Sequence, residues 1–113
     1  MATWTKAQLR NRVLEHLGVL AAGQSPSPED ASLVDEAIDS AHDRLRKLEL
    51  APFDIATIPE WAQVPMRDYV AGDVGRSFGF GDELKPGQVA AERDLGRQVA
   101  GYRHPLAIPV NYY

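Results

Sequence analysis

Apolar residues recur along most of this chain at the three- and four-residue spacing of a helix, then switch to a spacing of two over the last dozen positions. Leu9, Val13, Leu14 and Leu17 make one apolar stripe on a first helix. Thr5-x-x-Gln8 ahead of it has capping-box form, with the threonine hydroxyl placed to accept from the Gln8 amide. Gly18 suits the left-handed position that ends a helix, with Val19 folding back towards Leu14. Trp4 stands just outside the cap, where it can staple onto the first turn. Residues 21–26 read as a loop. The second helix is the clearest element. Ser27 is a strong N-cap, Pro28 fits the first helical position, and Glu29 and Asp30 favour the positive end of the dipole. Val34, Ile38, Ala41, Leu45 and Leu48 then step by four and three, the seam of a helix packed lengthwise on others.

Residues 51–57 form a loop opened by Pro52, with Phe53 plugging the core. Pro59 reopens a helix that carries Trp61 and meets Pro65. An interior proline costs about 3 kcal/mol in an unbroken helix. The spacing therefore predicts either a kink, or a short helix over 59–63 followed by a longer one from Pro65. Met66, Tyr69, Val70, Val74 and Phe78 give that longer piece its buried face, and Gly79 and Gly81 end it. A glycine-spaced loop over 79–85 leads to a last helix starting near Pro86, with Val89, Leu95 and Val99 facing inward and Gly101 closing it. Gly96 thins that stripe. The chain is thus expected to be all-α: a small bundle of about four helices over 1–101, followed by an extended arm over 102–113.

That arm, YRHPLAIPVNYY, cannot continue the helix. Pro105 and Pro109 lack a backbone donor and bias the residue before them towards extended geometry. Leu106, Ile108, Val110 and Tyr112 alternate with Ala107, Pro109, Asn111 and Tyr113. A terminal segment is usually polar and frayed unless something ties it down. This one is apolar, with a single clear charge at Arg103. Two readings stay open: an arm for a partner subunit, using Tyr102, Leu106, Ile108, Val110, Tyr112 and Tyr113, or a strap across its own bundle. In the first, main-chain hydrogen bonds to an exposed sheet edge give affinity, while alternate side chains fill pockets.

At 113 residues the chain is of single-domain size and long enough to bury a core without staples. It has no cysteine, which excludes disulfides and thiolate metal sites. No apolar run approaches a membrane span, and MATWTKAQLR lacks a signal-peptide core, so cytoplasmic synthesis with no membrane partner is expected. A net charge of −4 argues against wrapping nucleic acid broadly, and suits a surface past which DNA slides without sticking.

Candidate chemistry is sparse. The histidines are His16, His42 and His104. His42 lies one turn after Asp39 and beside Asp43, a spacing open to two ligands on one helix face, but no third ligand is signalled. A solvated or salt-bridged histidine is the plainer reading, and no metal or cofactor is expected. Glu15, Glu60 and Asp68 supply carboxylates for glycoside hydrolysis only if a cleft holds a pair at a defined separation. No nucleophile elbow, P-loop or H-E-x-x-H occurs. On the second helix, acidic residues fill the first half while Arg44, Arg46 and Lys47 fill the last turns, as the macrodipole favours. Those bases also suit salt bridges to Asp35, Glu36 or Asp39 of a neighbouring copy, a head-to-tail contact that closes into a ring. Trp4 and Trp61 read as packing residues or, alternatively, as interface hot spots.

Two stretches, VLEHLGVLAAGQSPSPEDASLVDEAIDSAHDRLRKL (13–48) and IPEWAQVPMRDYVAGDVGRSFG (58–79), resemble the head–tail adaptor, or connector, proteins of tailed bacteriophages and related prophages. The marks are the glycine-ended first helix, the GQ-x-P-S-x-E-D cap, the long acidic-to-basic second helix and the I-P-x-x-x-x-x-P-x-R-D segment. The resemblance implies a structural protein of the virion, with no enzymatic activity. Its copies, typically twelve, would form a ring beneath the portal protein, joining it to a tail or stopper protein, with DNA only as passing cargo. Two rival classes remain. A small DNA-binding regulatory helical protein would need a basic recognition helix, which the acidic second helix does not supply. A muramidase-like tail accessory enzyme would rest on Glu15 or Glu60.

Overall fold

The first helix, α1 (Lys6–His16), begins at a complete capping box. Thr5 Oγ1 accepts from the Gln8 amide at 3.2 Å, and Gln8 Oε1 accepts from the Thr5 amide at 2.8 Å. At the other end Gly18 takes φ +76°, conformational space that costs glycine no Cβ clash. Val19 N–H then bonds back to the Leu14 carbonyl at 3.0 Å and Gly18 N–H to that of Glu15. The main chain folds back as expected, but the Val19 side chain stays exposed and Leu20 enters the core instead.

This computed structural model describes residues 2–103, the last two by backbone alone. The architecture is an all-α bundle of α1, α2 (Pro28–Lys47), α3 (Glu60–Val74), a 3₁₀ turn (Gly75–Phe78) and α4 (Lys85–Arg103). Among the described residues there is no strand, only one antiparallel bridge in which Trp4 and Ile58 exchange amide and carbonyl at 3.0 and 2.8 Å. That bridge ties the chain before α1 to the entrance of α3.

Ser27 caps α2 through its side chain, accepting from the Asp30 amide at 3.2 Å, and Pro28 opens the helix. Val34, Ile38, Ala41 and Leu45 are fully buried against α1 and α3. Leu48 is not: it is the C-cap and 53 % exposed, because the chain reverses at Glu49. Glu49 takes the left-handed φ of +61° usually left to glycine, and Leu50 N–H closes the turn on the Leu45 carbonyl at 2.8 Å. Leu50, two residues on, does the packing that the four–three pattern assigns to Leu48.

Of the two expectations for Pro65, the separate short helix does not hold. Residues 60–74 form one helix with Pro65 inside it. Met66, Tyr69, Val70 and Val74 are buried as the periodicity requires, and Phe78 packs on the core from the 3₁₀ turn.

The last helix departs most from the pattern. Its inward stripe is Gln88, Ala91, Leu95 and Val99, with Leu84 packing just ahead of it; Leu95 and Val99 face inward as expected, whereas Val89 is 59 % exposed. Nor does it stop at Gly101: the backbone stays helical to Arg103, so Tyr102 belongs to α4 and not to an extended arm. Leu106, Ile108, Val110, Tyr112 and Tyr113 lie outside the described residues.

Candidate interaction surface

The charged face of α2 is largely used within one protomer. Lys6 Nζ meets Asp39 at 2.8 Å and Arg10 Nη1 meets Asp35 at 3.5 Å, both crossing from α1 to α2. Arg44 reaches α3, where its Nε donates to Tyr69 Oη at 2.9 Å and its Nη2 to Asp73, with the guanidinium 5.3 Å above the Tyr69 ring. The bond to Tyr69 holds Arg44 above its ordinary pKa, burial opposes it, and Asp73 adds to the rise. Lys47 pairs with Asp43 one turn earlier at 3.3 Å. Of the six residues considered for bridges between copies, only Glu36 and Arg46 make no ion pair among the described residues, and both are exposed. A large role for such bridges would require the others to give up partners they already have.

His42 is neither solvated nor salt-bridged. It is buried, and its Nε2 lies 2.8 Å from the Phe53 carbonyl. A carbonyl only accepts, so Nε2 must carry the proton and donate. The Phe53 ring lies 5.5 Å from the imidazole and edge-on to Trp61 at 5.7 Å, giving a row of three rings from α2 through the loop to α3. That row fixes the loop expected to plug the core. Among the described residues no group of three or more His, Asp or Glu side chains is placed to hold a metal ion.

The carboxylates do not converge on one cleft. Glu15 lies 3.6 Å from Arg12 and faces the loop at residues 22–25. Asp68 is held by Arg67 at 2.9 Å, with His16 at 3.7 Å. Glu60 borders a different depression at the start of α3.

That depression is the more suggestive feature. Trp61 is half-buried and flanked on both sides by open, mainly apolar hollows. One, of about 620 Å³, is bordered by Thr3, Pro59 and Glu60. The other, of about 270 Å³, is bordered by Arg97, Gln98 and Gly101 on the last turns of α4. Trp61 thus divides a groove running from the first residues of the chain to the exit of the last helix. Trp4 is placed differently, in the bridge to Ile58 with Arg12 stacked 5.5 Å over its ring.

Sequence reasoning placed Leu95 and Val99 on the inward side of α4 but missed Gln88. Gln88 Nε2 donates to the Tyr69 carbonyl at 3.1 Å and to Asp73 Oδ1 at 2.7 Å, so Arg44, Tyr69, Asp73 and Gln88 form one network across three helices. The available signal was the pair Gly72-x-x-Gly75: small residues three apart share a helix face and admit a close neighbour. Comparisons with protein-family models, curated proteins and solved structures find no match for this chain.

Proposed function

We propose that this chain is a structural head–tail adaptor of a tailed bacteriophage. In this reading its copies assemble as a ring beneath the portal protein, join it to a tail or stopper protein, and line the channel through which DNA passes. It catalyses no reaction and resides in the virion. The observation that carries the proposal is how the two adaptor-like stretches fold. Residues 13–48 and 58–79 are apart in sequence, yet they supply all of α2 and α3 and the last turn of α1, and these three helices pack on one another. What the resemblance treats as one pattern is thus one packed unit, with α4 added against α3.

The surface suits an assembly protein. Glu36 and Arg46 remain on the outer side of α2 for a neighbouring copy, and the Trp61 groove offers apolar area where chain segments meet. No helix among the described residues is long and apolar enough to cross a membrane. Mixed with purified portal protein, the full chain is expected to co-migrate with it as a symmetric multimer. Deleting Leu106–Tyr113 is expected to abolish that attachment. A chain that never associates with portal overturns the adaptor reading, whereas an arm-less chain that still binds overturns only the role of the arm.

A further inference from the structure

The groove at Trp61 lies at the point where the chain leaves the bundle. Gly101 borders it, and α4 ends at Arg103. At 1.5 Å per residue, the following segment therefore starts within about 5 Å, along the helix axis, of a residue that forms the groove wall. Pro105 disfavours continued helix and biases His104 towards extended backbone, which favours a change of direction at that place. The nine residues from Pro105 to Tyr113 span about 30 Å when extended, much more than one indole ring between two hollows. Their alternation puts Leu106, Ile108, Val110 and Tyr112 along one edge, an apolar strip that matches an apolar floor.

We propose that residues 104–113 turn back onto the same protomer and occupy the groove that Trp61 divides. A tethered segment meets its own groove at an effective concentration in the millimolar range, far above that of a second copy in dilute solution. Pro105 and Pro109 pre-extend it and lower the cost of ordering it there. The inference stands apart from the adaptor reading and needs no portal. It also gives that reading a consequence: a partner that recruits the segment must compete with the groove and will uncover Trp61.

The chain lacks cysteine and has two tryptophans, which makes the test direct. Asn111→Cys, on the edge of the segment opposite the apolar strip, introduces a single thiol for a nitroxide spin label. Trp4→Phe leaves Trp61 as the one indole N–H signal in the nitrogen–proton spectrum of the full chain. Loss of that signal in the oxidised, labelled protein, and its return on reduction of the nitroxide, is the expected result. Ile108→Asp should restore it without reduction. Should Trp4→Phe fail to fold, the native pair of indoles serves, with Trp61→Phe assigning the signal. An undiminished Trp61 signal overturns the proposal. So does loss of signal when isotope-labelled chains without nitroxide are mixed with unlabelled chains carrying it, because a second copy would then fill the groove. The portal co-migration assay is unaffected by either outcome, so the two ideas fail separately.

Discussion

α2 and α4 are of nearly equal length, 20 and 19 residues, yet they hold to the bundle by different means. α2 presents an unbroken apolar stripe, Val34, Ile38, Ala41 and Leu45, and its polar residues reach sideways to α1 and α3. α4 places a glutamine inside its stripe and approaches α3 where α3 has no side chains. A Cβ on Gly72 would lie 2.8 Å from that of Gln88, and one on Gly75 would lie 2.6 Å from Leu84 Cδ1. Gln88 is tolerated there because it donates both to the Tyr69 carbonyl and to Asp73, so little of its polar end is left unpaired. One helix is held by a continuous apolar stripe with polar ties at its flanks, the other by a fitted glycine contact in its first half and by area in its second.

The largest expected effects test whether the second halves are equivalent. Leu45 and Leu95 are both fully buried. Truncation of a buried leucine removes its transfer energy and leaves a cavity, so Leu45→Ala and Leu95→Ala are each expected to lose about 3 kcal/mol in urea unfolding. Near-equal losses would confine the difference between the helices to the glycine contact. A loss below about 1 kcal/mol for Leu95→Ala alone would break the comparison, because α4 would then detach without unfolding the rest.

Next in size is a change whose sign depends on place. Helix propensity by itself makes glycine-to-alanine favourable by about 1 kcal/mol. At Gly87, on α4, an added Cβ meets nothing within 4 Å, so Gly87→Ala is expected to stabilise by up to about 1 kcal/mol. At Gly72 the added carbon meets the Cβ of Gln88, which no rotamer moves away, and α4 must shift. Overpacking costs about 1–3 kcal/mol, so Gly72→Ala is expected to destabilise by up to about 2 kcal/mol net. Thermal melts of the two variants side by side decide it. The same sign at both positions would mean that α4 does not rest on Gly72.

These contrasts explain which parts of the fold were legible beforehand. The ends of α1 and the start of α2 depend on local hydrogen bonds, and Thr5, Gln8, Gly18, Ser27 and Pro28 announce them within a few residues. The seam of α2 depends on burial alone, which periodicity reports directly. Leu48 was misread because the reversal after it uses Glu49 in the left-handed region, where the signal looked for is glycine. On α4, Leu95 and Val99 read true, but Val89 stood in for Gln88 because the partner there contributes glycines, and an absent side chain on α3 leaves no mark on α4. The same holds for the surface: the charges of α2 were visible as a gradient, but that Lys6, Arg10 and Asp73 would engage them depends on the docking of other helices. The groove at Trp61 joins residues at the two ends of the described chain and has no local signature at all.

The smallest expected effect is the most exacting check on the rotation of α4. Periodicity alone turns Val89 inward, whereas the docked helix leaves it 59 % exposed beside Gln88. Replacing an exposed valine removes little buried area, and glutamine is a somewhat better helix former than valine. Val89→Gln should therefore change stability by no more than about 0.5 kcal/mol in either direction. Leu48→Gln, at the exposed end of α2, should behave alike. A loss above about 1 kcal/mol for Val89→Gln, with Leu48→Gln neutral, would turn α4 by one residue about its axis. Gln88 would then leave the network with Tyr69 and Asp73, and the distinction between the two helices would vanish.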